Sequence, residues 1–310
     1  MSAPEVIEAA ALVLGERARR DEPLGPSSTY RVGGAAALFL DVDDAGDLRF
    51  LAEAVAATGV DVLVVGNGSN LLVADAGFPG LAIRLGERFA EVAVRDTEVE
   101  AGAAALLPVV ARRTVTAGLT GFEWAVGVPG SMGGAVRMNA GGHGSDLAES
   151  LTRVRVLDLR TGEDGEVPAS ALDLGYRSSA IRADQLVLSA TLRLAPGHVE
   201  AGEAELREIV RWRRAHQPGG QNAGSVFTNP AGDSAGRLVD AAGCKGLRVG
   251  SASVSDKHAN FIQVDAGGRA DDVYRLMRLV QDTVEAHAGI RLHPETVLVG
   301  FDDPDGEDQA

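Results

Sequence analysis

Two glycine-rich loops about sixty residues apart constrain this chain more than any other feature of its sequence. The first, Gly66-Asn67-Gly68-Ser69-Asn70, directly follows the apolar run Val62–Val65. The second, Gly127-Val128-Pro129-Gly130-Ser131-Met132-Gly133-Gly134-Ala135, carries four glycines in nine residues, and Asn139-Ala140-Gly141-Gly142 follows almost at once. Glycine leaves successive backbone N–H groups clear of Cβ atoms, so a run such as 66–70 can form a nest for an anion, with serine and asparagine as extra donors. One such run is as readily an ordinary hairpin turn. Two of them, each beside a strand or a helix end, suit one extended phosphate-bearing ligand better than two independent turns.

Other phosphate and metal motifs are excluded by inspection. Neither lysine follows a glycine, so the chain has no G-x-x-x-x-G-K loop, and it has no H-E-x-x-H or paired Cys-x-x-Cys for zinc. The run at Gly66 puts Leu71 where a dinucleotide fingerprint needs its third glycine, and it leads into a strand, which disfavours a Rossmann site. The balance of charge matters here too. A net charge of −15 argues against nucleic acid or an anionic membrane surface as partner, so an anionic ligand must be held locally. Of the 29 cations only Lys245 and Lys257 are lysines, which leaves this work to arginines, whose planar forks grip phosphate and carboxylate in pairs. Cys244 is the single cysteine, so no internal disulfide is possible. With no basic leader and no apolar run of about 18 residues, the expectation is a cytoplasmic protein without metal.

Periodicity divides the 310 residues into an N-terminal helix (1–22, running to about Arg19), a larger domain (23–197) and a smaller lobe (198–302). An acidic tail (303–310) closes the chain. Within the larger domain, 23–85 alternates strands 37–40, 62–65, 71–73 and 81–83 with a helix near 48–57. Residues 86–197 add strands near 98–101, 151–157 and 186–194 and a helix from about Leu106 to Ala117. In the lobe, a polar helix near 203–214 precedes a hinge at Pro218-Gly219-Gly220. Helices at 235–241 and 271–288 and strands at 260–264 and 296–299 follow.

The motifs then fall in a specific order. Thr29-Tyr30-Arg31-Val32-Gly33-Gly34, the two glycine loops, Met138-Asn139-Ala140-Gly141, Tyr176-Arg177-Ser178-Ser179, Gly224-Ser225-Val226-Phe227-Thr228-Asn229-Pro230 and His293-Pro294-Glu295 together closely resemble the UDP-N-acetylenolpyruvoylglucosamine reductase family. The resemblance runs from about residue 23 to 300. It implies an α+β fold: a vanillyl-alcohol-oxidase-type FAD-binding domain of two α/β subdomains plus a smaller C-terminal α+β substrate-binding lobe. It also implies a reaction, NADPH-dependent and FAD-mediated reduction of UDP-N-acetylglucosamine enolpyruvate to UDP-N-acetylmuramate in peptidoglycan precursor synthesis.

By the same resemblance FAD would contact Arg31, Gly33, Gly66, Asn67, Gly68, Ser69, Asn70, Gly127, Pro129, Gly130, Ser131, Gly133, Gly134, Ala135, Asn139 and Gly141. Ser225 matches the family's proton donor, Arg177 the clamp on the substrate carboxylate, and Glu295 the acidic residue beside it. Tyr176 and Asn229 match substrate contacts. Thr228 stands where some members carry lysine, and the 48-residue interval from Arg177 to Ser225 is similar to the shorter class, which lacks an inserted tyrosine loop. On residues alone, Ser225 reads as a turn serine, Arg177 as a surface arginine and Lys257 as a surface lysine; the motif context reverses the first two. The alternatives are an oxidase of the same flavin fold acting on another alcohol or sugar, and a non-catalytic flavin- or nucleotide-sugar-binding module. Monomer and weak oligomer stay equally open.

Overall fold

The computed structural model describes residues 2–301, so the acidic-tail reading lies outside the described residues. Seven helices organise it: α1 (Ala3–Leu14), α2 (Ala45–Thr58), α3 (Leu107–Thr116), α4 (Met132–Arg137), α5 (Val199–His216), α6 (Ala235–Ala241) and α7 (Ala270–Ala288). Local rules are plain in two of them. Asp44 caps α2 by accepting the N–H groups of Gly46 and Asp47, and Gly59 ends it in the left-handed conformation. In α7, Val273, Leu276, Met277, Val280 and Val284 recur at helical spacing and form a buried stripe.

The first subdomain is built on a four-stranded sheet ordered 19–23, 35–42, 78–85, 62–64, antiparallel at the first pair and parallel at the other two. The N-terminal helix is shorter than its composition suggests. Gly15 turns at φ +59°, so α1 stops at Leu14 and residues 19–23 become the edge strand, where its charged residues remain exposed. The second subdomain is a five-stranded antiparallel sheet, ordered 164–168, 151–158, 185–193, 98–102, 92–95. Its two outer strands are not legible as strands: 164–168 is largely exposed and polar, and 92–95 is only four residues long and half-buried.

Packing crosses the expected boundaries twice. Leu206 and Ile209 of α5 join the core formed by Val99, Phe122, Trp124 and Leu192, so this helix belongs with residues 86–197 and not with the lobe expected to begin at 198. The final strand, Val297–Val299, runs parallel to Leu71–Val73 in the first subdomain. The lobe proper packs α6 and α7 on a small antiparallel sheet, and its core admits Tyr30, Val32 and Leu72 from the first subdomain.

Candidate active site

Three long-range links draw the glycine loops and the polar residues around one cavity of about 1050 Å³. The Asn67 amide donates to the Pro129 carbonyl at 2.6 Å, joining the two loops. At Gly66 a Cβ would stand 2.6 Å from Ser131 Oγ, so the two loops approach closely here and a larger residue would turn that hydroxyl aside. The Asn70 amide donates to the Glu295 carbonyl at 2.8 Å, and Val297 N–H donates back to Asn70, which ties the first loop to the end of the chain.

Ser225 and Glu295 are neighbours because the strip 225–228 is laid between Asn260 and residues 293–296. Val226 N–H donates to the Asn260 carbonyl, and Glu295 N–H donates to Val226 at 2.7 Å. The Asn260 side chain fixes Phe227 at both its N–H (3.0 Å) and its carbonyl (2.8 Å). Gly224, left-handed at φ +79°, turns the chain so that Ser225 stands on the cavity wall.

Arg177 arrives from a tight turn closed by reciprocal backbone bonds between Gly175 and Ser178, and it is itself left-handed at φ +56°. Its Nε donates to Glu295 Oε1 at 2.7 Å and its Nη2 to the Gly141 carbonyl at 3.1 Å. The pair is mostly buried, with 22% and 15% of the two side chains exposed. Burial raises the Glu295 carboxyl above its ordinary value, and Arg177 pulls against that rise.

The wall also contains Gly66–Asn70, Pro129, Gly130, Ser131, Gly133, Gly134, Ala135 and Gly141. Four expected cofactor contacts are elsewhere. Arg31 is exposed and left-handed at φ +56°, with its N–H on Ser28 Oγ. Gly33 presses on the Val73 carbonyl, and Gly127 packs against Ile209 and the His143 ring. The Asn139 amide is spent on Gly175 and Asp146, while its oxygen accepts Ala148 N–H. These residues shape the loops from behind. Tyr176 and Asn229 also lie off the cavity wall; Tyr176 is 57% exposed and its hydroxyl accepts Asn229 N–H at 3.4 Å.

Sequence reasoning missed Arg213, Gln217 and Asn222 on the same wall. The signal was the α5 stripe: Leu206 and Ile209 continue at helical spacing into Arg213 and Gln217. Lys257 has a definite place as well. Its ammonium caps the end of α5 by donating to the Arg214 carbonyl at 2.6 Å, where the helix dipole favours a cation.

The donor set fits a flavin dinucleotide. Among the described residues, the backbone N–H groups of Gly66 to Asn70 donate to no protein acceptor, which leaves a five-donor cradle beside the cavity. Two subdomains clasping a glycine-lined cavity, with a third lobe closing one end, define an FAD-dependent oxidoreductase. Residues 36–165 match the family model described as an FAD binding domain, and residues 216–299 match the UDP-N-acetylenolpyruvoylglucosamine reductase C-terminal domain. The reductase of that name from Rubrobacter xylanophilus is 40% identical over 285 residues, covering 91% of this chain and 95% of that protein. One from Synechococcus sp. strain CC9605 is 41% identical, covering 90% and 94%. The crystal structure of the Thermus caldophilus reductase superposes with a TM-score of 0.79 at 36% identity, covering 91% of this chain and 99% of that one. The chain therefore belongs to the UDP-N-acetylenolpyruvoylglucosamine reductase family.

Proposed function

We propose that the chain reduces UDP-N-acetylglucosamine enolpyruvate to UDP-N-acetylmuramate through three of its own side chains, Arg177, Ser225 and Glu295. The observation that carries this reading is their convergence on the wall of one cavity with both glycine loops. When bound along those loops, FAD would supply the hydride that it takes from NADPH. Arg177 holds the substrate carboxylate, and its guanidinium stabilises the negative charge that develops on the carboxylate and the adjoining carbon. Glu295 orients Arg177 through the 2.7 Å bond and shares in polarising the same group. The Ser225 hydroxyl delivers the proton that completes the new C–H bond. A serine is a weak acid, so this role needs the oriented surroundings that Gly224 and the 225–228 strip provide. The Gly66–Asn70 N–H groups and the Gly130–Ala135 segment, which line the cavity, would hold the cofactor.

A cytoplasmic site of action is part of the same proposal, supported by a single cysteine, Cys244, that is buried and free. Among the described residues no helix is long and apolar enough to cross a membrane. The test is anaerobic stopped-flow absorption: protein reduced with one equivalent of NADPH is mixed with the enolpyruvyl sugar nucleotide. Flavin bleaching followed by rapid recovery is expected; bleaching without recovery would discard this substrate.

A further inference from the structure

The cavity's arginines are not equivalent in charge balance. Arg84 pairs with Asp41, Arg160 with Asp184, Arg182 with Asp158, and Arg177 with Glu295, while Arg137 donates to the Ile181 carbonyl. Arg213 differs. Its one hydrogen-bond partner among the described residues is the neutral Gln217, through Nε at 2.7 Å, and it forms no ion pair there. It is nevertheless half-buried, and removal from water pulls its guanidinium below its ordinary value. A buried charge without a counterion is costly, and a ligand that brings the counterion offsets the cost.

Its position is equally specific. Arg213 is on the last turn of α5, four residues before Gln217, and Gln217, Asn222 and Ser225 line the same cavity. Its neighbour in the chain, Trp212, packs edge-on against His143 with ring centres 5.2 Å apart, and His143 sits at the tip of the 141–146 hairpin. The base of that hairpin is Gly141, whose carbonyl holds Arg177. The last turns of α5, which carry Arg213, and Arg177 thus meet one hairpin at its tip and its base. Lys257, reaching over from the lobe to the Arg214 carbonyl, fixes the helix end that carries Arg213.

The Arg177–Glu295 pair is neutral as a unit, whereas the substrate brings a carboxylate and a diphosphate. We propose that Arg213 is a further substrate-binding residue, supplying the uncompensated positive charge that receives anionic oxygens of the enolpyruvyl sugar nucleotide beside Ser225. This rests on the reading of the cavity as that substrate's site.

The experiment uses the FAD-loaded full chain, with binding followed by the flavin spectrum. Wild type, Arg213→Met and Arg213→Lys are titrated with UDP-N-acetylglucosamine enolpyruvate and with UDP-N-acetylglucosamine, which lacks the carboxylate. Arg213→Met is expected to weaken the enolpyruvyl ligand about tenfold to a hundredfold, with flavin content unchanged and Arg213→Lys intermediate. Loss confined to the enolpyruvyl ligand assigns Arg213 to the carboxylate; equal loss for both ligands assigns it to the diphosphate. Wild-type affinities in Arg213→Met overturn the proposal, and so does equal loss in both variants accompanied by lowered stability to denaturant, which would mark a purely structural arginine. Wild-type protein that binds neither ligand would instead sink the reading of the cavity itself.

Discussion

At the scale of single residues, Ser225, Arg177 and Glu295 make separable predictions. Ser225→Ala should leave reduction of the flavin by NADPH near wild type, while recovery on adding the enolpyruvyl substrate slows about 10²- to 10⁴-fold. Unchanged recovery in stopped-flow traces would remove Ser225 from the proton-donor role. Arg177→Lys keeps the charge but not the fork that reaches Glu295 and Gly141 together, so kcat/KM should fall about 100-fold. Wild-type turnover would mean that this arginine serves only the turn. Glu295 carries a pH dependence. Because burial raises its carboxyl in the folded state, its ionised form is disfavoured there relative to the unfolded chain. Folded protein therefore loses stability as pH rises from the ordinary carboxyl range through the raised value. Glu295→Gln does not titrate, so its stability relative to wild type should increase with pH across that window. Denaturant unfolding at several pH values checks this, and a difference that stays flat or falls would contradict it.

At the scale of elements, the two glycine loops are legible in the amino-acid sequence itself, but their glycines serve two different ends. Gly68 is left-handed at φ +58°, and a Cβ there would run into the Ser27 carbonyl. Gly130 has only ordinary contacts, the nearest being Ser69 Oγ at 3.6 Å, and it faces the cavity. Gly68→Ala should thus lower both FAD affinity and stability, the latter by more than about 1 kcal/mol. Gly130→Ala should lower FAD affinity while leaving the stability of the apo-protein near wild type. Flavin fluorescence titration and urea unfolding of the apo-proteins separate the two, and matching losses in both would refute the distinction. Arg31, Gly33, Gly127 and Asn139 show why a motif does not reveal orientation. Each shares a loop with cavity residues, yet Gly33, Gly127 and Asn139 face protein and Arg31 faces solvent, and the local backbone rotation decides which.

At the scale of the whole molecule, the lobe and the first subdomain are held together by a reciprocal cap. Asp75, just beyond the 71–73 strand, accepts the N–H groups of Ala270 and Asp271 at the start of α7, and Asp271 accepts Asp75 N–H in return. Arg269 adds an ion pair to Asp75 at 3.1 Å. Asp75→Ala should cost about 1–2 kcal/mol, in line with the loss of a helix cap, and weaken substrate binding more than FAD binding, because the lobe and not the cradle loses its anchor. Calorimetric unfolding and paired titrations measure both; a variant weakened for FAD and substrate alike would place the anchor's effect on the first subdomain.

The sequence by itself determined the family, the FAD-binding class and the location of most helices, because those follow from short-range signals: glycine runs, caps, and apolar residues at helical spacing. It also carried Ser225, Arg177 and Glu295, through the motifs around them. Only the tertiary structure decided what those residues touch. Arg177 and Glu295 are 118 positions apart, and the bond between them depends on the last strand pairing with residues 71–73 of the first subdomain. Likewise Arg211, Arg213 and Arg214 read alike along the chain, and only the packing of α5 on the second subdomain turns Arg213 inward. Local sequence sets the direction of a few residues of backbone; which distant surface a side chain then faces is settled by the burial of a shared core.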